Sequence, residues 1–167
     1  MLDGKLEQVG TKACLYLDDP EVLGVFTLID LYGMNRVKHS AEDSLDSKVK
    51  RVREWLKGRI GHARANDFFP HLSVHEIEAW MFAEGSALAT RLADPGTKPD
   101  NGAESRNFQN PPSKPLNELF LHSRLKRSYH KITDGRPLFS KMEFDPVYKT
   151  CRYFREFYDD LTAVATR

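Results

Sequence analysis

Cysteine is nearly absent. Cys14 and Cys151 are far apart and outside any C-x-x-C pair, which excludes a disulfide framework and a cysteine-built zinc site; both read as buried, inert thiols. Long apolar runs are missing too. No stretch approaches the roughly 18 residues needed to cross a bilayer, and Met1-Leu2-Asp3-Gly4-Lys5 lacks the basic-then-apolar order of a signal peptide. A soluble, cytoplasmic protein with no membrane association is the expectation. Neither sign of charge is in excess: the net charge of +1 by itself points to no polyanionic partner. No P-loop, G-x-G-x-x-G, G-x-S-x-G or H-E-x-x-H occurs, which excludes P-loop hydrolases, Rossmann dehydrogenases, serine hydrolases and zincins.

What is present is an ordinary globular composition, 40% hydrophobic and 29% charged over 167 residues, enough for one domain to bury most of its apolar surface. The expected plan is a single domain, residues 1–167, with an α/β core at 1–92, a long loop at 93–115 and a helical C-terminal extension at 116–167. Leu6, Val9, Ala13, Cys14 and Leu17 recur at helical spacing, so 5–17 reads as a helix weakened by Gly10. Residues 22–29, apolar without alternation, read as a strand buried on both faces. Ser40 and Asp43 are candidate caps for a helix over 41–59 with Leu45, Val49, Val52, Leu56 and Ile60 inward and its basic residues outward.

Phe68 to Val74 is a second short strand, and 75–93 is most simply one helix. Helix, strand, helix, strand, helix points to an α/β layered domain. Residues 94–115 hold five prolines, two glycines and three asparagines, the composition of a loop, and a loop that long is usually functional or mobile. Ser113 is the expected cap of a helix at 114–122, Asp134-Gly135-Arg136-Pro137 reads as a turn, and a last helix starts near Asp145-Pro146 and carries Val147, Cys151, Phe154, Tyr158 and Leu161.

Three acids stand at or just after the ends of the apolar runs. Asp30 closes the first, and Glu76 and Glu78 follow the second. Magnesium or manganese takes hard oxygen ligands, and phosphodiester chemistry needs carboxylates converging from neighbouring strand ends. If 74–78 stays extended, Glu76 and Glu78 point the same way; if a helix has begun they diverge by about 200° and only one is a ligand. The competing reading makes both first-turn helix carboxylates and Asp30 a turn residue. His75 either positions substrate or ligates metal, or is structural. Lys114 and Lys131 are candidates for steadying negative charge, with simple solvation as the alternative. Lys50, Arg51, Arg53 and Lys57 lie in a basic stretch that can contact nucleic-acid phosphates or can be an ordinary solvated face.

The order of these blocks resembles an uncharacterised bacterial Toprim-like domain-of-unknown-function family. Its pattern, T-h-h-D-x-Y-G, F-h-P-Y-h-x-x-H-E-F-E-A-L-L-F, P-S-K, Y-x-K, a glycine turn and C-x-x-F-x-x-W, is met by several stretches of this chain. They are Thr27 to Gly33, Phe69-Pro70-His71, His75 to Phe82, Pro112-Ser113-Lys114, Tyr129-His130-Lys131, Gly135 and Cys151 to Phe157. The resemblance implies a Toprim-like, Rossmann-like, mostly parallel sheet flanked by helices, with a mainly helical C-terminal part. It also implies magnesium held by Asp30 with Glu76 and Glu78, Lys114 and Lys131 on the same face, and a nuclease working beside a partner ATPase in DNA processing or phage defence. The family's opening E-G-x-T-E segment has no counterpart here, so an N-terminally incomplete fold is expected, with an open sheet edge that favours pairing with another molecule, a second copy included. The best expectation is therefore a metal-dependent phosphodiesterase or nuclease. The alternative is an inactive Toprim-like module that binds nucleic acid or a protein partner.

Overall fold

A computed structural model describes residues 3–31, 43–74, 77–94, 96–97, 104 and 112–167. The chain divides into two compact units, residues 1–73 with 156–167, and residues 74–155.

The first unit begins with α1 (Asp3–Leu17), β1 (Val25–Asp30), α2 (Leu45–Lys57) and β2 (Phe68–Ser73). β1 and β2 pair in parallel, Val25 opposite Phe68 through Asp30 opposite Ser73, with α2 in the crossover that a parallel pair requires. Most of the expected α2 stripe is realised: Val49, Val52, Leu56 and, just beyond the helix, Ile60 are buried, while Leu45 is half-buried. Its cap is Ser44, whose hydroxyl accepts the Ser47 N–H, one residue beyond Asp43, while Ser40 lies outside the described residues.

The expectation that the first strand is buried on both faces fails for β1. β2 is buried along nearly its whole length, whereas β1 is half-buried and Leu28 is 39% exposed. Among the described residues the sheet has these two strands alone, so β1 has one neighbour. Gly10 serves close packing: a Cβ there would lie 2.6 Å from the Arg59 carbonyl oxygen. Arg64 is a clamp, bonded to the Leu17, Asp19 and Val22 carbonyls and to Asp67.

The second unit is helical: α3 (Glu78–Glu84), α4 (Ser86–Leu92), α5 (Ser113–His122), a π-helical turn at Lys131–Gly135, α6 (Arg136–Phe139), α7 (Phe144–Thr150) and the start of α8 (Arg152–Ala165). Every residue of α3 is buried, and its Trp80, Met81 and Phe82 join Leu88, Leu116 and Val147 in the core.

The single helix expected over 75–93 is two, broken at Gly85. Its φ of 72° lies in the left-handed region that glycine tolerates best. The last helix is also two. Cys151, with extended φ and ψ, separates α7 from α8, and the Glu104 carboxylate accepts the Tyr153 and Phe154 N–H groups of the new first turn. Asp134 is no simple turn residue, since it lies in the π-turn and is fully buried. Cys151 is buried as expected, while Cys14 is only partly so.

Candidate functional site

In the second unit Glu78 opens α3, so a helix has begun at this residue. His75 and Glu76 lie outside the described residues. The Glu78 side chain is 1% exposed and carries two contacts from the Y-x-K block, some fifty residues later. Lys131 Nζ stands 3.2 Å from Oε2, and the Tyr129 hydroxyl donates to Oε1 at 3.4 Å. The first is an ionic contact without hydrogen-bonding alignment, for Oε2 is buried and accepts no hydrogen bond; the second is long. A buried carboxylate normally collects several donors, so Glu78 keeps unused acceptor capacity.

Tyr129 is held by three neighbours. Its N–H donates to Asn117 Oδ1, its ring meets Phe120 edge-on, and its hydroxyl sits where a Cβ on Gly135 would come within 2.8 Å. Gly135 is helical, so what it supplies is space. Lys131 is 55% exposed, so its side chain meets solvent as well as Glu78. Lys114 is exposed in the first turn of α5 and, among the described residues, its side chain bonds to none of them. Ser113 is that helix's first residue and not its cap, which is Pro112.

In the first unit Asp30 is half-buried at the carboxyl end of β1, in register with Ser73. The alternation of strands puts Phe26, Leu28 and Asp30 on one face with Phe69, His71 and Ser73. Ser73 Oγ is buried without a hydrogen bond. Sequence reasoning passed over both His71 and Ser73, and only their place in the strand, four and two residues before His75, could have pointed to them.

His71 is buried, 3.1 Å from Asp160 through Nε2, with Nδ1 unbonded and Phe157 edge-on to the ring. Burial, helped by the Arg53 charge, pulls its pKa below 6.5, while Asp160 and Glu156 oppose. The neutral ring thus donates from Nε2 to Asp160. Because the unfolded chain takes up this proton more readily, the stability from His71 is complete above about pH 6.5 and is lost as pH falls through the folded value. Urea unfolding should therefore show stability falling between pH 7.5 and 5.5. That slope should shrink in His71→Gln; an equal slope in both proteins would exclude His71 as its source.

The basic stretch is only partly available. Lys50 and Lys57 are exposed on α2, Lys50 within 3.9 Å of Glu54. Arg51 forks onto Asp43, and Arg53, expected to face out, turns half-buried to Glu156 at 2.8 Å. Among the described residues no group of three or more His, Cys, Asp or Glu side chains is placed to hold a metal, and no helix is long and apolar enough to cross a membrane.

These features define a mixed α/β protein, mostly helical, with a small parallel sheet and a buried acid contacted by a lysine. The chain belongs to the family described as a domain of unknown function, DUF4276, whose model matches residues 4–162. No curated protein and no solved structure matches it.

Proposed function

We propose that this protein is a metal-dependent phosphodiesterase or nuclease of Toprim-like type, with Glu78 a magnesium-binding carboxylate and Lys131 its partner at the phosphate. The observation that carries the reading is the buried Glu78 carboxylate, with an oxygen that accepts no hydrogen bond and Lys131 Nζ 3.2 Å away. These two residues come from separate blocks of the sequence, each singled out for phosphate chemistry. Magnesium keeps most of its waters and needs one or two carboxylates beside substrate oxygens, so Glu78 alone meets the minimum, with Glu76 kept as a further candidate on the sequence pattern alone. Asp30 remains a further candidate carboxylate on the sequence pattern alone.

When bound, magnesium or manganese supplies a polarised phosphoryl oxygen and an activated water. The chain's own residues do the rest. Tyr129 fixes the Glu78 carboxylate, and Lys131, half in solvent, follows the negative charge on the phosphate. Lys114 and His75 are retained as candidates for positioning substrate. The exposed Lys50 and Lys57 of α2 favour a nucleic-acid substrate through non-specific phosphate contacts. The family resemblance adds a partner ATPase and a role in DNA processing or phage defence.

The test is incubation of the purified full chain with plasmid DNA and with single-stranded DNA and RNA, in magnesium, manganese and EDTA. Cleavage that needs the metal is the expected result. A folded protein that cuts none of them in either metal sinks the enzyme reading. Salt-sensitive binding that survives Glu78→Gln and weakens in Lys50→Ala/Lys57→Ala would then favour the binding module, which the same exposed lysines support.

A further inference from the structure

The second unit also contains a cavity of about 340 Å³, lined by Ala87, Thr90 and Arg91 of α4, by Arg124 after α5, by Pro137 and Leu138 of α6, and by Lys141 beyond it. Three of these seven residues are cations and none is an acid. Arg124 and Lys141 are exposed, and among the described residues their side chains form no ion pair or hydrogen bond. Arg91 gives one N–H to Asp134 at 3.1 Å, but its Nε is buried and makes no hydrogen bond. Asp134 is already engaged, since it takes two bonds of 2.6 Å from Arg127 and one from the His130 N–H. One carboxylate thus serves two guanidiniums, and the cavity wall keeps an uncompensated positive charge.

Like charges converging on a concave surface repel one another, and an anion seated among them removes that cost. Guanidinium N–H groups match phosphate oxygens in direction as well as in charge, and a lysine adds a mobile third donor. Arg124 also borders a second cavity of about 330 Å³, whose other lining residues, Leu92, Ala93, Asp94, Leu119, His122 and Ser123, are of mixed polarity and include one acid.

We infer that this cavity binds a phosphate monoester through Arg91, Arg124 and Lys141. The ligand is either a free nucleotide or the 5′-phosphate end of a nucleic acid. The inference rests on the cavity alone, so it stands or falls separately from the Glu78 reading.

The experiment is calorimetric titration of the full chain with inorganic phosphate, adenosine monophosphate, and an oligonucleotide carrying either a 5′-phosphate or a 5′-hydroxyl. Arg124→Ala/Lys141→Ala is titrated alongside, with its circular dichroism and thermal midpoint recorded. The expected result is saturable binding of phosphate-bearing probes, at least tenfold weaker in the double variant. A preference for the 5′-phosphorylated oligonucleotide assigns the site to a nucleic-acid end, and binding of the mononucleotide without that preference assigns it to a free nucleotide. Absence of saturable binding by the folded wild type, or equal affinity in the double variant, overturns the inference. Should the double variant not fold, Arg124→Gln alone, an exposed change, carries the same comparison.

Discussion

Replacing Glu78 by glutamine should lower metal-dependent cleavage more than about a hundredfold while leaving the protein folded. Losing an outer partner of a metal site typically costs 10–100-fold, and loss of a ligand should exceed that. The effect on stability should be small for two reasons. The substitution removes a buried negative charge whose desolvation is unfavourable, and it leaves Lys131, 55% exposed, to be hydrated by water. Near-wild-type cleavage by Glu78→Gln would exclude a metal-binding role for this carboxylate.

Gly135→Ala approaches the same site indirectly. The new methyl would stand 2.8 Å from the Tyr129 hydroxyl, and the stiff ring must shift, taking its bond to Glu78 with it. A rate loss in this variant, smaller than in Glu78→Gln and with the thermal midpoint little changed, would show that the position of Tyr129 matters to the site.

The largest loss of stability is expected from Asp134→Ala, about 3 kcal/mol, near the low end of what breaking a buried ion pair costs. Asp134 has no exposed side-chain surface, while Arg127 and Arg91 are each 39% exposed, and water recovers part of what they lose. Hydrogen bonds from Arg127, then from the His130 N–H and Arg91, hold the Asp134 carboxyl well below the usual carboxylate range against the opposing effect of burial. A depressed folded value means that this stability is present above the ordinary carboxylate value of about 3.9 and is lost as pH falls below it. Denaturant unfolding of the two proteins should therefore differ most near neutral pH and converge in acid. A difference under about 1 kcal/mol at pH 7 would show that the network is solvated surface and not a structural centre.

How much of this could be read in the chain depended on whether the cause was local. The α2 stripe and the two apolar runs that became parallel strands were legible because each rests on residue type and short spacing. Gly85 interrupted an otherwise helical pattern and was a readable stop that periodicity overrode. Cys151 carried no such mark. The helix breaks there with the new first turn held by Glu104, almost fifty residues away in a segment whose composition said only loop. Asp134 was misread for the same reason: Asp-Gly-Arg-Pro is a turn signature, and only Arg91 and Arg127, together with the backbone of His130, make it a buried anion.

Sequence alone therefore determined the alternation of helices and strands, the inward stripe of α2 and the residue types suited to phosphate chemistry, because periodicity and side-chain chemistry act over a few residues. The tertiary structure decided which charges have partners. It joined Lys131 to Glu78, turned Arg53 and Arg64 inward, and left Arg124 and Lys141 facing a cavity whose lining includes no acid. Pairing and desolvation depend on what the folded chain brings within a few ångströms, and separation along the sequence carries almost no information about that.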